Sequence, residues 1–381
     1  MDMKILVDAL AVVEHMTGVS RYAFQLLTHL ARVDEKNSYR VLVPSSLSPD
    51  HPLIRRLEGC ANFSLMKADI PPVGPKRDIR YRALAGLDFD VYHCLNSNYP
   101  LGFHYPRGVV TIHDLKYLKY PRFMGNAWWL KTRYLELVFK SAAKRCAKVI
   151  AVSHATKRDI VDLFSIPDPD RIVVIHEAGG LFSASSNVPE QGDRILETYG
   201  VKRPYFLFLG EHRPHKNIEG VIEAFERFRQ MCRDPFHLVI TGKVHPSYRA
   251  RMTRLKWGRD DVVFTGFIPD EHLPVLYRHA YGFLLPSFYE GFGIPILEAM
   301  EAGVPVITSN VSSMPEVGGD ACLTVSPYDP EDIARKMYVL ATDAGLHALL
   351  REKGYARAKE FSWEKAARET LKVYEQVGSN S

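Results

Sequence analysis

Short runs of β-branched, aliphatic and aromatic residues alternate with amphipathic helical stretches along the chain, and the alternation occurs twice. In the first half the runs are KILVDA (4–9), YRVLVP (39–44), VYHCLN (91–96), VVTIHD (109–114), VIAVS (149–153) and RIVVIHEAG (171–179), with a helix over GVSRYAFQLLTHLARV (18–33). At FSASSNVPEQGD (182–193) apolar residues thin out and small polar ones collect. The pattern then restarts with YFLFLG, a helix from Asn217 to Met231, FHLVITG, VVFTGF, YGFLLPS and VPVITS. Nearly continuous apolar strands separated by helices are the mark of parallel sheets covered on both faces. The expected architecture is α/β: two Rossmann-like doubly wound domains facing across a cleft. Residues 1–180 form the first domain, 181–200 the linker and 201–360 the second domain. A C-terminal helix over 361–381 packs back toward the first.

A length of 381 residues suits two domains, and 46% hydrophobic with 24% charged residues is a globular composition. The start, MDMKILVDAL, has too short an apolar run for a signal peptide, and no later run approaches the ~20 residues of a membrane span. A cytoplasmic protein is expected. Cys60, Cys94, Cys146, Cys232 and Cys322 are scattered, which argues against a zinc site or a disulfide framework. Charge is distributed unevenly. Residues 119–158 hold ten lysines and arginines against one acid, Glu136, so this window is +9 in a chain of +5. Trp128 and Trp129 sit among those basic residues, the composition of an interfacial helix. No nucleic-acid-binding motif accompanies the basic run, so an anionic membrane surface on the inner face of the cytoplasmic membrane is the expected partner.

In doubly wound sheets ligands bind beyond the carboxyl ends of the strands, so those ends are where chemistry is sought. After the first strand, Gly18 in TGVSRY precedes a helix start and leaves backbone amides bare. After VVTI come His113 and Asp114. After YFLFLG come Gly210, Arg213 and Lys216, two cations that suit a diphosphate. After YGFLLPS comes YEGFGIPILEAMEAGVPVITS, with Glu290 in a loop, Gly291 and Gly293, and Glu298 inside a short helix that starts near Pro295 and stops at Gly303. Cations, bare amides and carboxylates together suit a sugar nucleotide: carboxylates accept paired hydrogen bonds from a diol, while cations hold the phosphates. Both glutamates are expected to serve ligand rather than core.

Taken in order and spacing, these residues resemble the retaining glycosyltransferases of family 4, which have the GT-B fold, and the similarity runs over essentially the whole chain. The E-x7-E signature is met by Glu290 and Glu298. The resemblance implies that the first domain binds the acceptor and the second the nucleotide sugar. Glu298 would accept from the ribose and Glu290 from the hexose. Backbone amides over Gly291, Phe292, Gly293 and Ile294 would face sugar and phosphates, together with Gly210 and Gly18. Lys216 matches the diphosphate lysine. The family commonly has arginine directly after the strand-end glycine; here Glu211 stands there, and Arg213 takes the role. Ser20 stands where a second glycine is frequent in TGVSRY. His113 matches the histidine that reaches the transferred sugar.

The resemblance further implies transfer with retention, by front-face attack in which the departing phosphate oxygen takes the acceptor's proton, so no nucleophile and no cofactor is needed. The pairs Asp88/Asp90 and Asp168/Asp170 imitate the metal-binding D-x-D of another fold but precede strands, so metal-independent transfer is expected. TSNVSSMPEV, RPHKNIEGVIEAF and TGVSRY are most similar to bacterial mannosyltransferases that use GDP-mannose in polysaccharide assembly, with a saccharide or lipid-linked saccharide as acceptor. A related GDP-hexose or a UDP-sugar is the alternative donor. Nucleotide-sugar epimerases share the GT-B fold and are the rival activity. An exported sugar-binding protein would need no diphosphate cations, and GFGIPI lacks the third glycine of a dehydrogenase fingerprint.

Overall fold

The computed structural model describes residues 2–14, 17–81, 84, 86–101, 103, 105–121, 128–182, 192–244 and 260–379. Contacts between Cα atoms divide the chain into two units: Met1–Glu177 with Ser362–Ser381, and Ala178–Phe361.

The first unit is built on seven parallel strands: β1 Lys4–Asp8, β2 Ser38–Pro44, β3 Phe63–Ala68, β4 Val91–Cys94, β5 Gly108–Ile112, β6 Lys148–Ala151 and β7 Ile172–Val174. Their order is β3-β2-β1-β4-β5-β6-β7, so the chain reverses direction across the sheet between β1 and β4. All residues of β4 and β5 are buried, as the continuous apolar runs require. Helix Gly18–Val33 lies where its apolar spacing places it, capped by the Thr17 side chain, with Leu26, Leu27 and Leu30 buried. Helix Trp363–Gly378 packs beside it. The Trp363 ring meets Tyr22 edge-on at 5.8 Å, and the Tyr374 hydroxyl bonds His93 Nδ1 at 2.7 Å. Below the end of β1, Asp8 and Arg77 form a fully buried ion pair that the Tyr81 and Tyr92 hydroxyls complete.

The second unit has six parallel strands: β8 Tyr205–Leu209, β9 His237–Thr241, β10 Val262–Gly266, β11 Gly282–Leu285, β12 Val306–Ser309 and β13 Cys322–Val325. The order β10-β9-β8-β11-β12-β13 again has its switch point beside the first strand, between β8 and β11. Helix Ile218–Met231 buries Val221, Ile222, Phe225 and Phe228 against this sheet, each contributing about 1.5–3 kcal/mol by leaving water.

Two strands are absent from the expectation, β3 and β13. Both lie at sheet edges, where one side meets solvent, and FSLMKA and CLTV are accordingly interrupted by exposed polar residues. The expected linker, 181–200, differs in its second half: Gly192–Thr198 is a helix of the second unit with Leu196 buried. Residues 183–191 lie outside the described residues. Strand β7 ends at Val174 rather than running to 179, which puts Glu177 beyond the strand end.

Candidate active site

In the second unit the strand-end residues gather at the switch point. Beyond β8, Gly210 is followed by a short turn, Pro214–Lys216, ending at Asn217, whose amide donates to the carbonyls of Pro286 (3.0 Å) and Pro327 (2.7 Å). That anchor draws the β8 loop onto the β11 loop. Gly242 is fixed by close approach, since a Cβ there would lie 1.9 Å from the Gly210 carbonyl oxygen. Lys216 Nζ donates to Glu290 Oε1 at 2.7 Å, and both side chains are mostly buried. Ser287 donates to the same oxygen at 2.7 Å. The hydroxyls of Ser312 (2.6 Å) and Ser313 (3.0 Å) donate to the Glu290 carbonyl, and Ser313 also reaches that of Phe292 at 2.7 Å. The SSMPEV stretch therefore braces the backbone that carries Glu290.

Helix Ile294–Glu301 begins at Gly293, whose φ of 111° is open to glycine but strained for other residues. Pro295 sits in its first turn and Gly303 follows its end, as the spacing predicts. Gly291, Phe292 and Ile294 belong to the same turn. Glu298, one turn into the helix, is not the open carboxylate that the sequence suggests. It is 3% exposed, and the buried Tyr277 hydroxyl donates to its Oε2 at 2.9 Å. It therefore belongs to the packed interior as well as to the candidate site. Three residues on, burial and then the charge of Glu298 push the Glu301 carboxyl up to about 7. Its Oε2 is buried without a hydrogen-bond partner among the described residues.

The Glu211 departure has a structural counterpart. Arg213 grips Glu211 with two hydrogen bonds, 2.7 Å from Nε and 3.1 Å from Nη2. The residue that replaces the usual arginine and the arginine two positions on thus form one ion pair, partly exposed to solvent.

In the first unit the Thr17 hydroxyl accepts from the Ser20 amide at 3.3 Å, and the Ser20 hydroxyl accepts from the Val13 amide at 3.2 Å. Ser20 is wholly buried and shapes the turn that a second glycine would have left pliable. A Cβ on Gly18 would meet nothing within 4 Å, so protein packing does not demand glycine there; it leaves the helix N-terminus uncovered. His113, past β5, has both ring nitrogens against acceptors: Nε2 lies 2.9 Å from the Leu95 carbonyl and Nδ1 3.0 Å from Glu177 Oε1. Burial disfavours its charge, but the Glu177 carboxylate, the Leu95 carbonyl and Asp114 outweigh it and raise its pKa above 6.5. Burial likewise opposes the charge of Asp114, and the Lys116 ammonium 2.9 Å away wins, holding that carboxyl below its usual range.

Glu177, Tyr277, Ser287, Ser312 and Ser313 contact the candidate residues, and motif reading did not single them out by role. Glu177 was within reach of the strand-end rule but hidden inside a run read as strand to 179. The aspartate pairs stand before β4 and β7. Asp88 pairs with Lys4, Asp90 accepts from the Lys4 amide at 2.8 Å, and Asp168 caps the turn Pro169–Arg171.

Residues 16–178 match Glycosyltransferase Family 4, and residues 196–357 match Glycosyl transferases group 1. The chain is 30% identical to the O-antigen chain mannosyltransferase B of Escherichia coli, over 98% of this chain and 99% of that protein. In fold it is similar to sucrose-phosphate synthase from Thermosynechococcus elongatus (TM-score 0.76, 20% identity, 100% of both chains). It is also similar to HepE of Anabaena in complex with UDP-glucose (TM-score 0.73, 16% identity, 98% of this chain and 100% of that one). With each unit matching its own part of the pattern and a relative aligned end to end, the chain belongs to the family 4 glycosyltransferases of GT-B fold.

Proposed function

We propose that this glycosyltransferase moves mannose from GDP-mannose, with retention and without a metal ion, to a saccharide or lipid-linked saccharide in surface polysaccharide assembly. The observation that carries the reading is the Lys216–Glu290 pair, held between the β8 and β11 loops at the switch point with Glu298 one turn into the adjoining helix. A diphosphate would draw on the Lys216 ammonium and hexose hydroxyls on the Glu290 carboxylate, so one pair serves both halves of a sugar nucleotide. As the bond from the anomeric carbon to the phosphate oxygen breaks, negative charge grows on the diphosphate, where Lys216, with Arg213, stabilises it. The acceptor oxygen bonds the same face of that carbon, and its proton passes to the departing phosphate oxygen. His113 serves the sugar side. Mannose is favoured by the full-length similarity to an O-antigen mannosyltransferase; a UDP-sugar is the second reading, favoured by HepE, whose structure carries UDP-glucose.

The helix Trp128–Arg145 supports work at a membrane surface. At about 100° per residue, Trp129, Leu130, Arg133, Leu137, Lys140 and Lys144 share one face, and all six are exposed, Trp129, Leu130 and Leu137 by more than half. The side chain of Trp128 lies outside the described residues. Exposed apolar groups among cations fit the inner face of the cytoplasmic membrane, and no helix among the described residues is long and apolar enough to cross one.

The test is transfer with GDP-mannose and UDP-glucose side by side, with and without a chelator, reading the anomeric configuration of the product by proton NMR. Inverted product, or activity lost to the chelator and restored by magnesium, overturns the mechanism. Transfer only from UDP-glucose overturns the donor. A new sugar nucleotide formed from donor alone would make the protein an epimerase.

A further inference from the structure

The group that distinguishes the first unit's strand ends is a histidine with no acceptor function left. A neutral imidazole carries one N–H and one lone pair, so it donates at one nitrogen and accepts at the other. His113 faces a carbonyl oxygen at Nε2 and a carboxylate oxygen at Nδ1, at 2.9 and 3.0 Å, and neither partner can donate while Glu177 is ionised. Only the doubly protonated ring satisfies both contacts. The ring is 15% exposed and Glu177 7%, so water does not substitute for either partner. The third contact, the Tyr22 ring edge-on at 4.6 Å, brings in the helix that Gly18 opens.

We propose that Glu177 is a positioning residue that keeps His113 an imidazolium, so that His113 meets substrate as a hydrogen-bond donor and never as a base. This rests on the reading of His113 as a sugar-side group. The Nε2–H that now donates to the Leu95 carbonyl is the one that can instead donate a hydrogen bond to a substrate hydroxyl oxygen, while Nδ1–H stays with Glu177 and fixes the ring plane. Such an arrangement suits a reaction whose proton leaves on the phosphate oxygen, because a basic imidazole beside the acceptor would compete for that proton.

The groups facing His113 from neighbouring elements are consistent with a cation. Asp114 follows it in the chain and is itself paired with Lys116. Tyr22 of helix Gly18–Val33 stays protonated through burial. His93 on β4 is pushed down to about 3 by burial and bonds Tyr374 and Thr111, so it is neutral and adds no competing charge.

The experiment is a nitrogen-15 NMR titration of the histidine side chains in the full chain, run beside transfer rates over pH 5.5 to 9. In the wild type the His113 ring is expected to show two protonated nitrogens at pH 7, with a midpoint above the ordinary 6.5. Glu177→Gln should lower that midpoint and reduce kcat at pH 8 about tenfold or more, with activity recovering toward lower pH and KM for the donor little changed. Glu177→Asp should restore most of both. A wild-type ring with a single proton at pH 7 overturns the proposal without any variant, as does a Glu177→Gln midpoint equal to that of the wild type. A shifted midpoint with an unchanged rate overturns the positioning role. Failure of any donor to react would overturn the proposed function instead, leaving the titration to decide the state of the ring.

Discussion

Two glutamate–cation pairs stand at the strand ends of the two units, and they differ in how much hydrogen-bonding capacity they hold back. Lys216 gives Glu290 one bond from an ammonium with three protons, and Glu290 receives Lys216 and Ser287 on Oε1 alone, with Oε2 taking no partner among the described residues. His113 commits both of its protons to the protein, one to Glu177 and one to Leu95. The first pair keeps bonding capacity in reserve, whereas the second can reach a substrate only by exchanging its Nε2 bond to Leu95, its Nδ1 bond holding the ring still. Burial does not separate them, since the side chains are 15% and 13% exposed in one and 15% and 7% in the other. What separates them is the chemistry of the cation. An ammonium on a flexible stem keeps spare donors, whereas an imidazolium between two fixed acceptors keeps none.

Breaking the shared pair should have the larger effect. Lys216→Ala is expected to lower turnover on the order of a hundredfold or more while the melting temperature stays near that of the wild type. Steady-state rates and thermal melts on the same sample check it. If the melt collapses and turnover survives, the pair is structural and the contrast with His113 disappears.

The next test separates the ligand role of Glu298 from its packing role. Glu298→Ala removes the acceptor of a buried hydroxyl, so it should cost about 1–3 kcal/mol in stability and also weaken nucleotide binding. Glu298→Gln keeps an acceptor for Tyr277, and should melt near the wild type yet still bind nucleotide less tightly. Calorimetric titration with GDP on both variants decides it, and wild-type affinity in Glu298→Gln would remove Glu298 from the ribose.

The third test concerns Glu301. Its folded carboxyl holds a proton up to about pH 7, whereas an ordinary glutamate releases it near 4.5. The folded state thus binds the extra proton in that window, stability falls as pH rises through it, and the loss is complete above 7. Glu301→Gln should melt above the wild type at pH 8 and level with it at pH 4.5. A gap that does not change with pH would mean the carboxyl is ionised throughout.

Legibility in the sequence followed burial and locality. Central strands such as YFLFLG and VVTI are apolar on both faces and declare themselves, while β3 and β13 at the edges do not. The candidate residues Glu290, Glu298 and Lys216 stand out in the sequence because spacing within one loop-and-helix segment, or after one strand, carries them. Glu177, hidden in a run read as strand, does not, because its contact with His113, 64 residues earlier, forms only in the fold, at 3.0 Å. The Tyr277 bond to Glu298 was hidden for the same reason: Tyr277 reads as one more apolar face residue until its hydroxyl is seen to have a partner. Nor could sequence say that Glu211 and Arg213, two apart in a turn, would close on each other.

The helix Trp363–Gly378, which lies on the first unit although it follows the second in the chain, has a consequence for biosynthesis. As the polypeptide leaves the ribosome, all seven strands of the first sheet emerge early, but the segment carrying Trp363, Val373 and Tyr374 arrives only after Ala178–Phe361 has been made. Until then Tyr22 lacks the Trp363 ring and His93 its tyrosine hydroxyl. The second unit is one uninterrupted stretch and can close as soon as it emerges. The half that is translated first is therefore the half that is finished last.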